Sequence, residues 1–146
     1  MNSIVAAADW LWSGIPLRYP ELRIVLAEGG ASWVPMMLER LDYVMDHSMR
    51  GDAAFWDDAE YSPKEVFQRN FRFCMLDDPA GVALRHTIGV DRLMVESDYP
   101  HSDSTWPDTQ TTVQRMLDGL PDDEADKIAY GNAVELFRHP APPRDF

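Results

Sequence analysis

The sequence predicts an α/β protein built on a short parallel sheet. Three apolar runs of strand length, residues 22–27, 71–76 and 92–95, carry that prediction. Each is followed by apolar residues at helical spacing. Each crossover is long enough to return the chain, so that neighbouring strands run parallel.

The elements follow in order. Ile4, Val5, Ala8, Leu11 and Trp12 recur at helical spacing, with Ser3 as an N-cap and Gly14 as a stop. After Pro16 and Pro20 comes the first strand, ended by Gly29-Gly30 and apolar enough for burial on both faces. A long helix follows, with Trp33, Val34, Met37, Leu38, Leu41, Val44 and Met45 on its apolar face. Residues 48–62 break the pattern and read as a long connection mixing acids with Phe55, Trp56 and Tyr61. The second strand leads to Asp78, placed to cap a helix with Pro79 in its first turn and Gly89 at its end. The third strand runs straight into the polar loop 96–107. Thr112, Val113, Met116 and Leu117 mark the next helix, stopped by Gly119. Pro121-Asp122-Asp123-Glu124 opens the last one with acids suited to the helix dipole, and Gly131-Asn132 is expected to break it before Ala133. Residues 139–146 read as a frayed, proline-rich tail of a single domain spanning 1–146.

Composition bounds the function. With 146 residues, 45% of them apolar, the chain can form one cored domain. A net charge of −12 argues against nucleic acid, whose phosphates need clustered Lys and Arg. Cys74, the single cysteine, lies in an apolar run and reads as a buried thiol. No disulfide can form within the chain, and a cytoplasmic location is expected. The apolar start at Ile4 lacks a basic flank, so no signal peptide is expected, and no run is long enough to span a membrane.

In parallel α/β sheets, ligand sites lie beyond the carboxyl ends of the strands. Here those ends carry Glu28, Asp77-Asp78 and the segment from Glu96 to Asp103. Glu28 precedes two glycines and could act as a general base or a metal ligand; equally, it could be an anion at a helix N-terminus. Asp98 and His101 sit in a loop stiffened by Pro100 and suit a divalent metal or proton transfer. The alternative is a capped loop in which Asp98 and Asp103 accept backbone amides. Asp77 and Asp78 are mainly helix-capping candidates, and Trp106-Pro107 a loop-packing pair. His47, His86 and His139 fall on or beside helices, where packing or surface roles dominate.

Several segments together resemble a known family. Tyr19-Pro20-Glu21-Leu22-Arg23-Ile24-Val25-Leu26, then Glu28-Gly29-Gly30 and the helix through Asp42, resemble the sixth strand and helix of the amidohydrolase-related family. This family comprises metal-dependent hydrolases and decarboxylases similar to aminocarboxymuconate-semialdehyde decarboxylase. Val95-Glu96-Ser97-Asp98-Tyr99-Pro100-His101 is similar to its eighth strand and active-site loop, and Gly131-Asn132-Ala133 to its terminal helix. The resemblance implies a TIM-type (β/α)8 barrel, represented by its last three parallel strands with their helices. It further implies a divalent metal, often zinc, in the complete barrel, and a small carboxylated or cyclic substrate.

By position, Asp98 is the implied metal ligand and proton-transfer residue, and His101 a substrate neighbour. Glu28 stands where the family commonly has a histidine, as in one of its subgroups. The family's His-x-His and its fifth-strand histidine are expected upstream of Met1. Three strands cannot close a barrel, and catalytic zinc takes three protein ligands, so this chain alone is expected to bind a metal weakly or not at all. Two expectations follow. One is the carboxyl-terminal segment of such an enzyme, lacking its amino-terminal half. The other is an inert truncated remnant or assembly module that completes its core as a homo-oligomer or with another chain.

Overall fold

The structure is a computed structural model in which residues 2–47, Trp56 and 60–140 are described. Most of the expected long connection, and the tail beyond Pro140, therefore lie outside the described residues. A three-stranded parallel sheet forms the centre, in the order β1 (Ile24–Leu26), β2 (Phe71–Met75), β3 (Leu93–Val95). Ile24 pairs with Phe71 and Leu26 with Phe73; Phe73 in turn pairs with Leu93 and Met75 with Val95. Strand alternation then puts Ile24, Leu26, Phe71, Phe73, Met75 and Leu93 on one face. Val25, Arg72, Cys74 and Met94 fall on the other.

The first face meets helices. α1 (Asn2–Trp12) buries Ala7 and Leu11, one turn apart, whereas Val5 is exposed. Ser3 lies within this helix, and not at its cap as expected. Gly14, at φ 70°, turns the chain into the short α2 (Ile15–Arg18). α3 (Val34–His47) buries Val34, Met37, Leu38 and Leu41. α4 (Pro63–Asn70) was not anticipated. Its start is a capping box: the Ser62 hydroxyl accepts the Glu65 amide while the Glu65 carboxylate accepts the Ser62 amide. Phe67 of α4 stacks on Phe71 at 4.4 Å between ring centroids, and Trp33 meets Phe73 edge-on at 5.6 Å. Each buried ring of this kind is worth about 1.5–3 kcal/mol of transfer free energy.

The carboxyl-terminal half departs from expectation twice. The helix after β2 divides at Leu84 into α5 (Pro79–Ala83) and α6 (Arg85–Ile88). A 3-10 turn (Val90–Arg92) then leads into β3. After α7 (Thr109–Leu117), the last helix runs unbroken: α8 (Asp122–Asp126), a π-helical stretch (Lys127–Gly131) and α9 (Asn132–Phe137). Gly131 keeps helical angles (φ −60°, ψ −44°). The Asn132 side chain explains why it does not stop the helix. Its amide donates to Val90 O at 2.7 Å and Leu93 O at 2.8 Å, tying the helix to the start of β3. No helix among the described residues is long and apolar enough to cross a membrane.

Candidate active site

The carboxyl ends of β1 and β3 each place an acid in left-handed backbone: Glu28 at φ 58° and Asp98 at φ 55°. Such angles are uncommon for a residue with a Cβ and cluster at functional sites. The sequence did not disclose that Glu96 joins the two. Its backbone amide extends the ladder to Met75 O at 3.1 Å. Its Oε1 accepts the Glu28 amide at 2.5 Å, across 68 residues of chain. Strand alternation was the available signal, since it puts Glu96 on the same face as Met94 and Cys74. Burial raises the Glu96 carboxyl above its usual range, and the charges of Glu28 and Asp98 act in the same direction. Burial, then the neighbouring Glu96, pushes the Cys74 thiol up to about 12. A buried, protonated thiol fits the structural role expected of it.

Beyond β3 the chain folds back on itself. Ser97 O accepts both the Thr105 amide at 3.1 Å and the Ser104 hydroxyl at 2.6 Å, pinching the loop shut. Inside it the His101 amide donates to Asp98 O at 2.8 Å. The His101 ring Nδ1 bonds Asp103 Oδ1 and lies 3.2 Å from Asp98 Oδ2. The Asp103 bond, helped by the charges of Asp103 and Asp98, raises the His101 pKa; the same bond lowers that of Asp103. Asp98 Oδ2 is shielded from solvent and accepts no hydrogen bond among the described residues. His101 faces it only as an ionic contact. Ligand atoms of Asp98, His101 and Asp103 lie within 4.8 Å of one another.

Asp78 plays the capping role expected of it, and more. One carboxylate oxygen accepts the Gly81 amide of α5 at 2.9 Å; the other accepts Ala31 at 2.6 Å and Ser32 at 3.0 Å beyond β1. Gly30 (φ 60°) suits glycine, because a Cβ there would be strained by the positive φ and would stand 2.9 Å from that second oxygen. Asp77 instead pairs with Arg115 at 2.6 Å on the surface. Trp106 is exposed and meets Tyr99 edge-on at 5.4 Å, within the loop. His47 stacks on Tyr43, His86 faces Glu124, and His139 lies beside Pro140; none belongs to the strand ends. A cleft of about 380 Å³ opens at Glu28, lined also by Asn2, Ser3, Ala27 and Gly29. The start of α1 therefore borders the site, which its sequence did not suggest.

Residues 3–139 match the amidohydrolase family. The chain belongs to that family. Two solved structures show the same fold. One is an amidohydrolase from Mycobacterium avium subsp. paratuberculosis K-10, 24% identical with a TM-score of 0.72 over 89% of this chain and 32% of that one. The other is 5-carboxyvanillate decarboxylase LigW from Sphingomonas paucimobilis, 27% identical with a TM-score of 0.67 over 88% of this chain and 37% of that one. The chain thus spans about a third of the length of these structures. Its three strands and their helices are part of a TIM-type barrel. No curated protein matches it. The amidohydrolase family is generally metal-dependent. Asp98 fits a metal ligand on its own geometry, as a solvent-shielded carboxylate oxygen with no hydrogen-bond donor among the described residues and an imidazole nitrogen 3.2 Å away.

Proposed function

We propose that this chain supplies one side of the active site of a metal-dependent hydrolase or decarboxylase acting on a small carboxylated or cyclic substrate. The Asp98 carboxylate carries the reading: it is held in left-handed backbone at a strand end, with one oxygen hidden from solvent and accepting no hydrogen bond among the described residues. A buried acceptor left in this state is costly unless a cation satisfies it. Asp98 would hold the metal, zinc by family preference, and accept a proton during the reaction. A bound divalent ion supplies positive charge that polarises a substrate oxygen. Glu28 would orient or deprotonate a water from the end of β1. His101, its ring exposed beside the two aspartates, would bind an anionic substrate group.

The test is zinc uptake by the purified, folded chain. Stoichiometric zinc that is lost on Asp98→Ala is expected; a folded chain that takes up no zinc would overturn the reading.

A second reading is an inert module that completes its core with another chain. Three strands in the order β1-β2-β3 leave both outer edges unpaired among the described residues, an invitation to strand addition. Light scattering on a sizing column decides it. Self-association or capture of a chain bearing the preceding barrel strands favours it, and a compact monomer counts against it.

A further inference from the structure

We propose that Glu96 is a positioning residue: its carboxylate reaches past the end of β2 to hold the Glu28 amide, keeping Glu28 on one rim with Asp98 and His101. This rests on the functional reading above only for the roles of Glu28, Asp98 and His101, and not for the clamp itself. The geometry has three parts. Glu96 is anchored at its own backbone by Met75 O, so its side chain projects from a fixed point. Its Oε1 takes the Glu28 N–H, the amide of a residue whose φ of 58° a side chain ordinarily avoids. The amides just beyond, of Ala31 and Ser32, are already taken by Asp78. Two carboxylates therefore hold the backbone that follows β1, and Glu96 holds the part that carries the candidate base.

The consequence is reach. Glu28 is close enough for its charge to be felt at both Glu96 and His101. A side-chain-to-backbone bond that crosses from the end of β3 to the end of β1 keeps that proximity when β1, a three-residue strand at the edge of the described sheet, moves. Without it, position 28 would be free to relax towards the extended angles its side chain prefers. Glu96 would act on substrate chemistry only through Glu28.

The test follows the Glu28 amide in the ¹⁵N-labelled full chain, as wild type, Glu96→Gln and Glu96→Ala. Glu96→Ala should speed Glu28 hydrogen exchange by about tenfold or more, the loss of a bond to a charged acceptor, while Ala31 and Ser32 keep their protection. Glu96→Gln retains an accepting oxygen and should restore most of the wild-type behaviour. A Glu28 amide unchanged in folded Glu96→Ala would overturn the proposal. Should that variant not fold, the Glu28→Gly background decides, because glycine needs no clamp. There Glu96→Asp, one methylene short of the Glu28 amide, should shift the urea midpoint less than it does in the wild-type background, and an equal shift overturns the proposal. Zinc uptake is scored separately. A chain that binds no zinc yet shows this amide behaviour supports the clamp and fails the functional reading.

Discussion

The two ends of the sheet are built on opposite principles. At the amino ends of the strands, two buried or nearly buried asparagines and three arginines donate to backbone carbonyls. The Asn70 amide reaches Leu22 O at 2.6 Å and Tyr19 O at 3.3 Å, and Asn132 spans Val90 O and Leu93 O. Arg69 donates to Pro16 O, Arg72 to Phe71 O and Arg92 to Gln68 O. At the carboxyl ends, acids crowd together. Burial and the charges of Glu28 and Asp98 raise the cost of ionising Glu96, Glu28 and Asp98 sit at positive φ, and one Asp98 oxygen has no hydrogen-bond donor among the described residues. One end commits donors to backbone carbonyls, while the other holds backbone amides with Asp78 and Glu96 and leaves an Asp98 oxygen without a donor among the described residues. In barrels of this type the amino-terminal face serves stability and the carboxyl-terminal face chemistry.

The contrast predicts which end breaks the fold. Asn70→Ala should cost most, about 3 kcal/mol, since it removes a fully buried amide and strands the carbonyls it joined. Urea unfolding would measure it, and a loss under about 1 kcal/mol would deny the amino end its structural role. Asp78→Ala comes next, at about 2 kcal/mol, because three amides lose one acceptor. Gly30→Ala should cost about 1–2 kcal/mol, through its positive φ and the 2.9 Å approach to Asp78. The rim acid should behave in reverse. Asp98→Gly is expected to leave stability unchanged or raise it by about 1 kcal/mol, by releasing left-handed strain and a shielded acceptor. The same variant should lose zinc uptake. Thermal melts with and without zinc separate the two effects.

How much of this was legible in the sequence differs along the chain for physical reasons. Apolar runs marked all three strands, because strands buried on both faces leave a continuous signature. Asp78-Pro79 announced its cap, because the cap is local chemistry. α4 was equally local, through Ser62-Pro63-Lys64-Glu65, but an acidic, aromatic stretch before it drew the reading towards a loop. Gly131-Asn132 misled for the opposite reason: a local breaker was overruled by two long-range bonds from Asn132 to the entry of β3. Glu28, Asp98 and His101 could be placed near one rim by topology and resemblance. Glu96 could not be given its partner, because its bond depends on a three-strand register that no local pattern encodes.

The smallest expected effect tests the same contrast through pH. The Glu96 carboxyl is raised in the folded chain, above its ordinary value of 4.5, chiefly by burial. Its proton is therefore bound more tightly folded than unfolded. The stability this contributes is full below that ordinary value and is lost as pH rises through the folded one. Asp103 is lowered by His101 and has the opposite sign, so its contribution is lost as pH falls. Both groups are at the carboxyl end, and at that end pH should pull in two directions. Urea midpoints of wild type and Glu96→Gln, taken upward from pH 4.5, isolate the first. The wild type should lose ground to the variant across that rise, because glutamine has no proton to release. Parallel curves would mean that Glu96 ionises without cost, and that the rim is better solvated than its crowded acids imply.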